Sequence, residues 1–256
     1  MGKVFLIGCG PGDYELLTIK AYKTLQNLDI ALVDHLITDE ILKVLPSKTK
    51  ILYVGKQKGK LSVKQEDINK ILLEFAKSGL KIGRLKSGDP YIFGRGGEEY
   101  LFLLQNGIEV EVIPGVSSST AGPLYADIPI VMRDYSSGFS VVSAHLSGNR
   151  FNKNWIPLLK LRNHTVVVLM GLSRVKDILE EARSQGIDLR IPTAIVSNVS
   201  RSDQKVVIGT LEDIEKLASV SQKPAVIIFG EVVNLHKKIK SYKNVTLDVG
   251  ELIWKK

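Results

Sequence analysis

Short apolar runs at residues 4–7, 30–33, 51–54, 82–85 and 110–113 alternate with amphipathic segments through the first half of the chain, a rhythm that leaves few folds open. Each run is bounded by polar or glycine positions and reads as a buried strand of about five residues. The clearest helix between them starts at Ser62, where Ser-Val-Lys-Gln forms a capping box. It carries Ile68, Ile71, Leu72 and Phe75 on one face and stops at Gly79. Strands separated by helices imply right-handed crossovers and a mainly parallel sheet, which is the α/β class.

Pro114-Gly115, followed by Ser117, Ser118 and Ser119, breaks the rhythm and marks the expected hinge between an N-terminal domain, 1–114, and a C-terminal domain, 115–256. The second half restarts with strand-like runs at 140–143, 165–170, 193–196, 205–208 and 225–229 and helical stretches at 174–185 and 211–219. Val206 and Val207 follow Val196 closely enough for an antiparallel hairpin, so the second sheet is expected to be mixed. A length of 256 residues suits this two-domain organisation.

Composition removes several function classes. With 44% apolar and 24% charged residues the chain is an ordinary globular one. No stretch nears the roughly 18 apolar residues of a membrane span, and the start reaches glycines and an acid before a signal core forms; the expected location is cytoplasmic, with no membrane partner. The single cysteine, Cys9, excludes an internal disulfide. Histidines at 35, 145, 164 and 236 have no metal-ligand spacing, so no metal is expected. The net charge of +8 suits an anionic partner. Its densest basic stretch, 236–243, has few aromatic residues for base stacking, which argues against nucleic acid.

Two segments carry chemistry. Gly8-Cys-Gly-Pro-Gly-Asp13 follows a strand, but the third glycine of a dinucleotide fingerprint is replaced by Asp13, whose charge would repel a pyrophosphate. That spacing argues against a nicotinamide or flavin oxidoreductase; Asp13 reads as a cap for the next helix, and the glycines as sites of close backbone approach. The segment 84–99, RLKSGDPYIFGRGGEE, leaves the carboxyl end of a strand, where open α/β sheets bind ligands. Asp89 suits a ribose or an ammonium group, and Arg84 and Arg95 suit carboxylates through bidentate pairing. The plain alternative pairs Arg95 with Glu98 or Glu99 on the next helical turn.

In ordered blocks the chain resembles the tetrapyrrole methylases, and within them the uroporphyrinogen-III C-methyltransferases. These are VFLIGCGPGDYELLT at 4–18, DIALVDHLIT at 29–38, the VGK and QEDIN of 54–69, the 84–99 loop, and IPGVSSSTAGPLYADIPIVMRD at 113–134. VVLMGL, VVIGTLEDIEKLA and PAVIIFGEVV extend the likeness over nearly the whole chain. The resemblance implies a two-domain α/β fold with its site in the interdomain cleft, a homodimer, and S-adenosylmethionine as methyl donor, with S-adenosylhomocysteine as product. It further implies methylation of uroporphyrinogen-III at C2 and C7 to precorrin-2, for siroheme or cobalamin synthesis; the alternative is another cobalt-precorrin methyltransferase. By matching blocks the cofactor residues are Pro11, Ser87, Gly88, Asp89, Ile92, Ser117, Ser118, Met170, Val199 and Ala225. Ser87 and Val199 stand where the family has glycine, and Ser117-Ser118 where it has Thr-Ala or Thr-Ser. Asp34 matches the proton acceptor and Lys56 the proton donor; the alternative leaves Asp34 capping a turn and Lys56 in solvent. Arg95 and Arg133 are the expected partners of the substrate's carboxylates, with Glu98 orienting Arg95. Val131-Met132 replaces the family's Thr-His before that second arginine.

Overall fold

The computed structural model describes residues 2–54 and 64–243. Contacts divide the chain into two compact units. Unit 1 takes in Met1–Gly122 with two later segments, Ser197–Lys205 and Gln222–Ala225; unit 2 takes in Pro123–Val196, Val206–Ser221 and Val226–Lys256. The division falls inside a helix at Gly122, whereas the sequence reading put it at 114/115; Pro114 and Gly115 belong to unit 1 and pack within it.

Unit 1 is built on five strands, β1 (Lys3–Gly8), β2 (Ile30–Val33), β3 (Lys50–Tyr53), β4 (Lys81–Lys86) and β5 (Glu109–Ile113), in the order β3-β2-β4-β1-β5. Every pairing is parallel, with Val4 set between Ile82 and Val110. Successive side chains of β1 alternate between two cores. Ile7 joins Leu25, Leu28 and Ile41 on the side of α1 (Ile19–Leu25) and α2 (Asp39–Leu42). Leu6 joins Ile68, Leu72 and Leu103 on the side of α3 (Gln65–Lys77) and α4 (Gly96–Gln105). A sheet covered on both faces explains why the strands read as continuous apolar runs. Each fully buried leucine or isoleucine of these layers contributes about 1.5–3 kcal/mol.

Two expectations need adjusting. The run at 51–54 forms a strand at 50–53 that lies at the sheet edge and is not buried, with Tyr53 52% exposed; Val54, just past the strand, is the buried residue of the run. The helix expected from Ser62 is present as α3, with Lys64 at its N-cap and Gly79, at φ +83°, just past its end; the Ser62 capping box lies outside the described residues.

Unit 2 holds the second sheet, apart from the end residues Ser197, Lys205 and Ala225, in the order β6-β7-β10-β8-β9, from β6 (Gly138–Ser143), β7 (His164–Leu169), β8 (Pro192–Ser197), β9 (Lys205–Thr210) and β10 (Ala225–Phe229). β6 and β7 run parallel while β7 and β10 run antiparallel, so the sheet is mixed as expected. β9 pairs beside β8, as their short separation suggested. The helices are α5 (Ser118–Tyr125), which carries the division between the units, α6 (Val175–Ser184), α7 (Ile214–Ser219) and α8 (Leu235–Lys243). Among the described residues no helix is long and apolar enough to cross a membrane, and no cluster of potential metal ligands occurs.

Candidate active site

In unit 1 the loops after β1, β2, β4 and β5 all leave the carboxyl edge of the parallel sheet. Because β1 lies between β4 and β5, their three loops meet there. Glycine makes the meeting possible. A Cβ on Gly115 would fall 2.3 Å from the Gly88 carbonyl oxygen and 2.7 Å from Gly8 Cα, so three loop backbones touch with no side chain between them. Gly10 and Gly88 exchange hydrogen bonds of 3.2 and 2.8 Å. The β1 and β4 loops are thus clasped backbone to backbone. Asp13 caps the next turn as expected, accepting from the Glu15 N–H at 2.9 Å.

Asp89 spends both carboxylate oxygens on backbone: Oδ1 accepts from Tyr91 N–H at 2.9 Å and Oδ2 from Gly115 N–H at 3.1 Å. It therefore fastens the β4 loop to the β5 loop. Gly88 lies against Ser117, its ideal Cβ 3.9 Å from the Ser117 Cα. Ser118 opens α5 and Ile92 is an exposed loop residue. The returning segment Ser197–Lys205 brings Val199, which is 4% exposed, into unit 1, and the Asn198 N–H donates to Pro224 O at 2.9 Å beside Ala225. Pro11, Ser87, Gly88, Asp89, Ile92, Ser117, Ser118, Val199 and Ala225 thus all belong to unit 1. Met170 and Arg133 are exposed residues of unit 2. Lys56 lies outside the described residues.

Arg84 departs from the ligand-binding use that its chemistry suggested. It is 2% exposed and spends its fork on this chain's own carboxylates, with Nη2 2.6 Å from Asp34 Oδ1 and Nε 3.1 Å from Glu99 Oε1. Glu99 is fully buried, and its second oxygen accepts from Lys86 Nζ at 2.9 Å. Gln65 closes the cluster, donating to Glu99 Oε1 at 2.9 Å and to Asn69 Oδ1 at 3.1 Å. Arg84 and Lys86 share a strand face, and Glu99 shares an inward helix face with Leu103, so strand and helix periodicity bring these charges together. Burial pushes the Lys86 ammonium below its usual range, aided by the nearby Arg84 charge and opposed by Glu99. Burial also opposes the Arg84 charge, but Asp34 and Glu99 together outweigh it and raise its pKa. Asp34 keeps a quarter of its side chain open, 27%, at the end of β2. Arg95 pairs with Glu98 at 2.6 Å, the plainer of its two readings; both side chains are more than half exposed.

Cys9, inside the β1 loop, is fully buried, and burial pushes its thiol up to about 12. Native protein at about pH 8 is expected to give no reaction with Ellman's reagent, and the full thiol only after denaturation. Fast labelling of the native chain would mean that the end of β1 opens.

The family model for tetrapyrrole (corrin/porphyrin) methylases matches residues 3–215. A uroporphyrinogen-III C-methyltransferase of Methanocaldococcus jannaschii is 43% identical over 237 residues, covering 91% of this chain and 98% of that protein. A siroheme synthase of Nitrosospira multiformis is 39% identical over 240 residues, 93% of this chain, but this chain spans only 51% of its length. Among solved structures, a uroporphyrin-III C-methyl transferase from Thermus thermophilus complexed with S-adenyl homocysteine superposes with a TM-score of 0.80 at 40% identity, covering 91% of this chain and all of that one. With most of its length under the family model and relatives at this identity, the chain belongs to the tetrapyrrole methylases.

Proposed function

We propose that this methyltransferase moves the methyl group of S-adenosylmethionine to ring carbons C2 and C7 of uroporphyrinogen-III, giving precorrin-2 for siroheme or cobalamin synthesis. The observation that carries the reading is the near full-length likeness to a protein named as a uroporphyrinogen-III C-methyltransferase. The residues present fit the donor: at Gly88 the nearest neighbours of a Cβ would be the Ser117 and Ser118 backbone at 3.9 Å, and Ser87, Ser117 and Ser118 add small polar groups to the β4 and β5 loops. When bound, the donor supplies an electrophilic sulfonium methyl. Pro11, Ser87, Gly88, Asp89, Ile92, Ser117, Ser118, Val199 and Ala225 are the unit 1 residues proposed to hold it, and Met170 of unit 2 keeps the same assignment.

Asp34 is the proposed proton acceptor, and Arg84 holds its carboxylate in one orientation. Lys56 is the proposed proton donor. Arg95 and Arg133 pair with acetate or propionate groups of the macrocycle, and Glu98 holds Arg95 until a substrate carboxylate takes its place. Positioning of donor and acceptor supplies most of the rate, with proton transfer adding to it. A homodimer in the cytoplasm completes the proposal.

Mass spectrometry of protein incubated with S-adenosylmethionine and freshly reduced uroporphyrinogen-III tests it. A gain of two methyl groups on the tetrapyrrole supports the reading. No gain, with donor binding retained, moves the substrate to a later precorrin. Asp89→Ala separately tests the donor site. Without the fastening of Gly115 to the β4 loop, affinity for S-adenosylhomocysteine is expected to fall about 10- to 100-fold, about 1.4 kcal/mol per tenfold. Unchanged affinity by calorimetry would remove Asp89 from the site.

A further inference from the structure

Arg201 brings a positive charge into unit 1 without an anion of its own. Among the described residues no carboxylate lies within ion-pair distance of it. The acid whose charge it feels, Asp203, spends Oδ2 on the Asn198 amide at 2.8 Å. Its Nε is buried with no acceptor, and Nη2 donates to the Leu36 carbonyl at 2.9 Å. Leu36 stands just beyond Asp34 in the β2 loop. Burial of the guanidinium works against its charge and draws its pKa down.

The segment is shaped to put the side chain there. Asn198 and Ser200 both adopt left-handed backbone, at φ 51° and 63°, which costs non-glycine residues on the order of 1 kcal/mol or more each. Side chains hold the strained turn: Asn198 to Asp203, the Ser200 N–H to Gln204 Oε1 at 2.8 Å, and the Asp13 N–H to Ser200 Oγ at 3.1 Å. Arg201 then lies on Gly12, where a Cβ would meet its Cγ at 2.6 Å and its Nε at 2.9 Å. The absence of a side chain at Gly12 is what admits the arginine. A staple to one carbonyl uses a single donor of a five-donor fork whose geometry matches a carboxylate.

We propose that Arg201 is a carboxylate-binding residue of the methylation site, receiving an acetate or propionate of the acceptor macrocycle beside Asp34. This rests on the function proposed above. The methionine carboxylate of the methyl donor offers the same chemistry, and the test separates the two sources.

Arg201→Gln, Arg201→Lys and Gly12→Ala are compared with the wild type for KM and kcat with uroporphyrinogen-III, affinity for S-adenosylhomocysteine, and thermal unfolding. Arg201→Gln is expected to raise KM about 10- to 100-fold, as loss of a charge-assisted bidentate contact does, with unfolding near the wild type. Arg201→Lys should recover part of the loss, and Gly12→Ala, which displaces the guanidinium, should move KM the same way. A fall in S-adenosylhomocysteine affinity at constant KM supports the carboxylate role and assigns it to the donor. KM and affinity both within about twofold of the wild type overturn the proposal. So do equal losses in Arg201→Gln and Arg201→Lys accompanied by lowered thermal stability, which make Arg201 a staple only. Failure of the wild type to methylate uroporphyrinogen-III is a failure of the proposed function and shows before any variant is made. The comparison then runs on binding of fluorescent uroporphyrin, where an unchanged affinity in Arg201→Gln overturns the proposal equally.

Discussion

Glu99→Ala is expected to lower the stability of the protein by about 3–5 kcal/mol, the cost of breaking a buried ion cluster by removing one partner. Glu99 is fully buried, and the side chains of Arg84 and Lys86, both bound to it, are each only 3% exposed. Without it, Lys86 loses the ion partner that the structure gives it, while Arg84 keeps Asp34. The sign of the pH dependence follows. Lys86 already sits below the ordinary lysine value of 10.5 because burial disfavours its charge. Between its folded and unfolded pKa values the unfolded chain binds more protons, so this residue's contribution to stability rises with pH across that window. Removing Glu99 drops the folded pKa further and widens the window downward. The deficit of Glu99→Ala should therefore be larger near neutral pH and shrink as pH climbs toward the ordinary lysine range. Urea unfolding followed by circular dichroism at several pH values measures both. A loss below about 1 kcal/mol, with no pH trend, would mean that water reaches the cluster and the charges are not confined.

This cluster also shows where the sequence stopped being informative. The strands of unit 1 were legible because a sheet covered on both faces leaves a continuous apolar run, and the Asp13 cap because its hydrogen bond is local. The exposure of β3 was not legible, since being an edge strand is a property of sheet order and not of residues 51–54. Adjacent helix positions differ by about 100°, so Glu98 and Glu99 can divide between solvent and interior, but the residue types alone do not say whether they do or which turns inward. The signal was Leu103 on the same face as Glu99, opposite the charged run Arg84-Leu-Lys86. Read as surface chemistry, Arg84 looked like a ligand contact; read as an inward strand position, it needed an internal anion. Arg201 stayed hidden for a different reason: its place against Gly12 is set by a chain return from 187 residues away, marked by the bond from Asp13 to Ser200, which no local pattern encodes.

Asp34→Asn is expected to reduce kcat about 10²- to 10⁴-fold, the range over which a positioned general base acts, while leaving S-adenosylhomocysteine affinity within about threefold of the wild type. The asparagine oxygen can still accept from Arg84 Nη2, which now sits 2.6 Å from Asp34 Oδ1, so the loop geometry survives, while the capacity to take a proton and one of the two negative charges facing Arg84 are lost. Asp34→Ala removes the hydrogen bond to Arg84 as well and should add to the stability loss of Asp34→Asn. Kinetics of both variants, with calorimetry and thermal unfolding alongside, separate the roles. Full turnover in Asp34→Asn would reduce Asp34 to a counter-ion for Arg84, and a matching loss of donor affinity would move it into the cofactor site. Glu99→Gln supplies the remaining control. Arg84 bridges Asp34 and Glu99, so if it transmits orientation the two substitutions should be non-additive in kcat, with a coupling of about 0.5–3 kcal/mol. Strict additivity would mean that the buried cluster only secures α4 against β4 and leaves the base to position itself.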